Sequence, residues 1–182
     1  AHVEAAKLSD TSYFYVVDGD AVIVDSFDFS YTTKEKDTVH VYRAINPIND
    51  LTYGYGGVKL LPRKLARNMD TNTNDMTTSL STKFKVMNEI SNVTAFNTDP
   101  FNTWKSGFRE CTKLSSKTIR GQIDDETTKR LEIWTSIGKD REFGEYALRG
   151  ARAGMLFGIS DKSDLKLIND FDWLKEKFNA DS

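Results

Sequence analysis

Hydrophobic positions come in short alternating bursts through the first part of the chain and at three- and four-residue spacing through the second. Ala1 to Leu8 is alanine-rich and predicts the end of a helix. Tyr13 to Val17 (YFYVV) is aromatic and β-branched and predicts a buried strand; Ala21 to Val24 (AVIV) predicts a second, shorter one. Thr38 to Arg43 alternates, with Val39 and Val41 on one face. Asn46 to Asp50 is a turn by composition, and Pro62 opens a helix over Arg63 to Arg67. Asp70 to Thr77 is polar loop. Thr78 to Ile90 places Leu80, Phe84 and Met87 at helical spacing. Pro100 to Leu114 is an amphipathic helix through Phe101, Trp104, Phe108 and Cys111, with Asp99 as its N-cap. Helices are also expected over Gln122 to Trp134, Glu142 to Ala153 and Asp164 to Phe178. Early strands and late helices argue α/β or α+β; the expectation is α/β, with a mixed central sheet flanked by helices and one domain over 1–182.

Composition narrows the function classes. The aromatic complement of 11 Phe, 7 Tyr and 3 Trp suffices for a packed core. Lys and Arg number 25 against 27 Asp and Glu, a net charge of −2 that draws the chain to neither nucleic acid nor an anionic membrane. No apolar stretch approaches the roughly 18–20 residues that span a bilayer, so no membrane partner is expected. The lone Cys111 forms no internal disulfide, and cytoplasmic residence is the expectation.

Four segments carry candidate chemistry. The first is Asp18-Gly19-Asp20, set between two apolar runs. Residues two apart on an extended segment point the same way, and paired carboxylates favour a hard cation such as Mn²⁺ or Mg²⁺. The same Asp-Gly pair is equally a turn signal. The second is Tyr53-Gly54-Tyr55-Gly56-Gly57-Val58-Lys59, where tyrosine faces stack on sugars or bases and glycines admit a close substrate. Its bland reading is a tight bend into a strand. The third is the stretch around Asp99, Trp104, Lys105 and Arg109; Lys105 and Arg109 share a helix face that meets either phosphate or solvent. The fourth is Asp140 to Ala147, where Glu145 either complements a helix dipole or acts as a base. His2 and His40 are the only histidines, and His40 reads as a packed histidine rather than a ligand.

Together these segments resemble a glycosyltransferase of the GT-A type. "YFYVVDGDAVIV" has the form of its strand ending in Asp-x-Asp, and "YGYGGVKLL" is similar to its glycine pair leading into a short strand. "VHVYRAINPINDLTYGYGGVKLLPRK" and "NVTAFNTDPFNTWKSGFREC" are also similar to glycosyltransferase-like proteins of large tailed phages and marine metagenomes. The resemblance implies that Asp18 and Asp20 hold Mn²⁺ or Mg²⁺ on the diphosphate of a nucleotide-sugar donor. Tyr53, Tyr55, Gly56, Gly57, Lys59 and Trp104 would line the substrate site. Glu145, or more weakly Asp99 or Glu110, would serve the acceptor, for which a modified DNA base is one option in a host cytoplasm. Only 17 residues precede Asp18. The implied object is therefore the C-terminal part of such a fold without its nucleotide-binding half. Two rivals stand beside it: a non-catalytic virion or interaction protein keeping this fold, and a metal-dependent nuclease or phosphatase using the same carboxylates.

Overall fold

A computed structural model describes residues 1–54, 57–70, 80–119 and 121–181. The chain is mixed α/β and divides into two compact units. The first comprises Ala1–Asn46 with Thr52–Ala95, the second Pro47–Leu51 with Phe96–Ser182.

The first unit is an open, mostly antiparallel sheet with two short helices against it. Its strands are β1 (Tyr13–Val17), β2 (Ala21–Ile23), β3 (Thr38–Ile45), β4 (Thr52–Tyr53), β5 (Val58–Pro62) and β6 (Lys83–Thr94). The order is β1-β5-β3-β6-β2, with β4 also on β3; only the β3–β6 pair is parallel. Strand alternation sorts the residues onto two faces. Val39, Val41 and Leu61 pack under Ala6 of α1 (His2–Leu8) and Ala66 of α2 (Arg63–Ala66). On the opposite face, Tyr42, Val58, Leu60 and Met87 gather with Tyr13, Tyr15 and Ile23.

The connection from β1 to β2 forces this sheet to curl. The two strands are the outer members of the order, four steps apart, yet only Asp18 to Asp20 join them. In a flat sheet four steps would separate them by about 19 Å. The chain from Val17 to Ala21 reaches at most about 14 Å. The Asp18 amide bonds the Gly57 carbonyl beside β5 at 2.8 Å, and the Asp20 carbonyl accepts from the Ala95 amide beyond β6 at 2.7 Å. The face bearing Tyr13, Tyr15 and Tyr42 therefore lines the aromatic cluster of this curled sheet.

One expected element changes type. In the helix predicted over Thr78 to Ile90, the part from Lys83 on is strand β6. Phe84 and Met87 do sit at helical spacing, but Lys83 to Val86 also alternates polar and apolar, and pairing with β3 decides between the two periods.

The second unit is helical: α3 (Pro100–Ser115), α4 (Asp124–Ser136), α5 (Gly144–Ile159), a 3₁₀ turn (Leu165–Asn169) and α6 (Phe171–Ala180). Helices α3 and α5 meet backbone to backbone. A Cβ at Gly150 would lie 2.1 Å from the Trp104 carbonyl oxygen, and one at Gly154 2.1 Å from that of Phe108. From the other side, a Cβ at Gly107 would lie 2.4 Å from the Ala147 carbonyl oxygen. Only glycine permits this approach. Around the contact pack two clusters, one with Cys111, Leu114 and Trp134, the other with Trp104, Phe108, Ile168 and Leu174.

Gly154→Ala is expected to destabilise the second unit by about 1–3 kcal/mol through overpacking. Gly19→Ala, where nothing lies within 4 Å of the added Cβ, should stay within about 0.5 kcal/mol of the parent. Urea unfolding followed by tryptophan fluorescence and by circular dichroism measures both; equal effects would contradict the close-contact account.

Candidate functional site

Asp18 lies where β1 ends, and three of the sequence-selected residues meet there. The Lys59 ammonium donates to both Asp18 carboxylate oxygens, at 2.8 and 2.9 Å. Gly57 receives the Asp18 amide. Lys59 is 5% exposed, on the strand face shared with Val16, Val41 and Leu61. Burying an ammonium without a counter-charge is costly, so Asp18 first of all neutralises Lys59. Asp20 sits in the exposed turn, its carbonyl tied to Ala95. As arranged, this pair does not fit Mn²⁺ or Mg²⁺, because both Asp18 oxygens already face a cation. Among the described residues, no group of three or more His, Cys, Asp or Glu side chains is placed to hold a metal ion.

The remaining expected residues take structural places or stand apart. Gly57 allows the side chain of Asn92 to approach: a Cβ there would lie 2.8 Å from the amide nitrogen of Asn92. Tyr53 is buried on β4. Tyr55 and Gly56 lie outside the described residues. Asp99 caps α3, accepting from the Asn102 amide at 2.8 Å, and this bond holds its carboxyl below the usual range. Trp104, expected against substrate, is instead fully buried, stacked on Phe108 with its indole N–H donating to Asp181 Oδ2 at 2.8 Å. Glu145 is exposed in the first turn of α5, where it complements the helix dipole.

The first unit also contains a cleft of about 620 Å³, within the size range of small-molecule sites. Phe27, Tyr31 and Tyr42 supply its aromatic surface. Ser26, Asp28 and Ser30 contribute from the irregular segment 24–37, and Asn88, Glu89 and Ile90 from β6. A bulge places the β6 group. Val41 and Arg43, two apart on β3, face Val86 and Ile90, four apart on β6, and Asn88 and Glu89 lie in the excess. Bulges re-aim side chains in this way beside sites. Segment 24–37 is tied to the sheet by tyrosines: Tyr15 Oη donates to the Tyr31 carbonyl at 3.1 Å, and Tyr13 Oη to the Glu35 carbonyl at 2.8 Å. Phe27 meets Tyr42 edge to face, centroids 4.9 Å apart. Burial, then the bond with Tyr15, pushes the Tyr42 phenol far above its ordinary pKa, so it stays neutral.

No protein-family model, curated protein or solved structure matches this chain. Among the described residues no helix is long and apolar enough to cross a membrane.

Tyr31 also touches His40, whose ring lies 5.5 Å away, centroid to centroid. His40 is fully buried on β3 and neither ring nitrogen has a hydrogen-bond partner. Glu35 Oε2 approaches Nε2 at 3.6 Å, too far for a hydrogen bond. Burial lowers the His40 pKa, outweighing the attraction of Glu35, and Lys85 adds to the lowering.

The residues of this cleft belong to none of the four candidate segments, although Phe27, Phe29 and Tyr31 alternate with Asp28 and Ser30 in the sequence. That alternation was the available signal.

Two outcomes follow. Asp18→Asn strands the Lys59 charge. The cost for a fully buried pair is about 3–5 kcal/mol; Asp18 is 41% exposed, and solvent screening reduces the expectation to about 1–2 kcal/mol. Adding Lys59→Met should restore most of the loss in a double-mutant cycle by urea denaturation. For His40 the folded pKa lies below the unfolded value of about 6.5. Its contribution to stability is therefore complete above that pH and declines on acidification, until the folded ring is itself protonated. The Tm of His40→Phe should fall less between neutral pH and pH 5 than that of the parent; parallel curves would remove His40 from the account.

Proposed function

We propose that this chain is a non-catalytic recognition protein whose working surface is the aromatic cleft of the first unit. The cleft itself carries the reading: Phe27 and Tyr31 present half-buried ring surface over the buried Tyr42, and Ser26, Ser30 and Asn88 present hydrogen-bonding groups beside it. Such a combination binds and orients a small group. Among the described residues of the lining, no histidine, cysteine or lysine stands beside Ser26 or Ser30 to activate it as a nucleophile. This reading belongs with the interaction-protein alternative raised from the sequence.

The metal-dependent glycosyltransferase remains the second reading, supported by the meeting of Asp18, Gly57 and Lys59 in one corner. A transferase working there would need Lys59 to release Asp18 to a divalent ion and a donor diphosphate.

A two-part experiment separates the readings. Titration of the isotope-labelled chain with a small-fragment mixture should shift the ring resonances of Phe27, Tyr31 and Tyr42. Mn²⁺ with a nucleoside diphosphate should leave the Tm unchanged, and nucleotide sugars should not turn over. Turnover that is lost on Asp20→Asn would replace the recognition reading with the transferase.

A further inference from the structure

We infer that the cleft takes an organic cation, an ammonium or guanidinium group set against the aromatic surface and paired with Glu89 and Asp28. The inference rests on the reading of this cleft as the working surface and adds the chemistry of what enters it.

Charge is the first observation. Among the described residues, the ionisable acids or bases of the lining, apart from its two tyrosines, are Asp28 and Glu89, with no lysine, arginine or histidine. Asp28 accepts from the Ser30 amide at 3.0 Å and from its hydroxyl, bonds that favour the ionised carboxylate. Glu89 forms no ion pair or side-chain hydrogen bond among the described residues, and Lys85, on the same strand, is committed to Glu35 at 3.2 Å. The buried Tyr42 phenol stays neutral. Lys85 also feels the Glu89 charge from outside the lining, but a lining with two carboxylates and no cation among its described residues favours a positively charged occupant over a neutral one.

Ring geometry is the second. Phe27 and Tyr31 are half-buried rings of the lining, so part of each is open to an occupant. Ring faces carry the negative side of the quadrupole and attract cations. The second unit contains the same chemistry with its cations supplied by the chain: Lys175 stands 4.3 Å from the centroid of Phe101, and Lys105 4.8 Å from that of Phe171. In the cleft the aromatic and acidic partners are present and the cation is left to a ligand.

The test titrates the full 182-residue chain with n-butylammonium and, separately, with neutral n-butanol, following the Phe27, Tyr31 and Tyr42 ring signals. Saturable shifts are expected with the ammonium alone. Glu89→Gln, a surface change that spares the fold, should weaken them by about three- to tenfold. A pentapeptide with a central lysine, set against its norleucine counterpart, identifies the source. Tighter binding of the lysine peptide than of butylammonium assigns the cation to a protein side chain; equal or weaker binding assigns it to a free amine. Equal shifts from butanol, or an unchanged affinity in Glu89→Gln, would overturn the charge inference and leave the cleft as a recognition site. A methyl glucoside that binds where butylammonium does not would have the same result. No shift from the fragment mixture or any of these probes would remove both readings.

Discussion

Three residues hold the outer strands of the first unit's sheet together. Asp18, Gly19 and Asp20 are too few to cross a flat sheet of this strand order, so the sheet is bent before any side chain is considered. The bend gathers tyrosines from β1 and β3 onto one face, and segment 24–37 closes over them with Phe27 and Tyr31. The cleft is the margin of that closure. The carboxylates that interrupt the apolar run thus have a mechanical context. Asp18 is both the last residue joined to β5 and the counter-charge for a lysine on the face beneath α1 and α2, while Asp20 makes the first bond on the β6 side.

The two units solve the packing problem by different means. The first spends polar side chains inside: Lys59 meets Asp18, Asn92 fills the space beside Gly57, and His40 lies among aromatic rings with its nitrogens unpaired. Unpaired buried nitrogens are costly, and strained or unsatisfied groups gather near working sites. The second unit removes side chains instead. Glycines 107, 150 and 154 let α3 and α5 touch through their backbones, and the aromatic residues of both helices pack around the seam.

The local signals in the sequence read well where one period dominated. β1 has the expected bounds, β3 extends two residues past them, and α3 begins at Pro100 behind the Asp99 cap. β6 was misread because Phe84 and Met87 satisfy a helical period while Lys83 to Val86 satisfies a strand period, and a partner strand 45 residues away in sequence settled it. Only the family resemblance put Asp18, Gly57 and Lys59 in one site, and nothing local announces that Lys59 is buried and must be neutralised. The cleft was harder still. Tyr42, Asn88 and Glu89 reach it only through sheet register and a bulge, properties of pairing that no single segment carries.

The aromatic residues are divided unevenly between the units, and this has a spectroscopic consequence. All three tryptophans, Trp104, Trp134 and Trp173, belong to the second unit, and two of them are fully buried. The first unit has no indole; its chromophores are tyrosines, several of them in the sheet's aromatic cluster. Red-edge excitation of the indoles therefore observes the helical unit alone, while tyrosine absorbance is dominated by the sheet. A ligand of the cleft would protect one set of chromophores and leave the other as an internal reference within the same molecule.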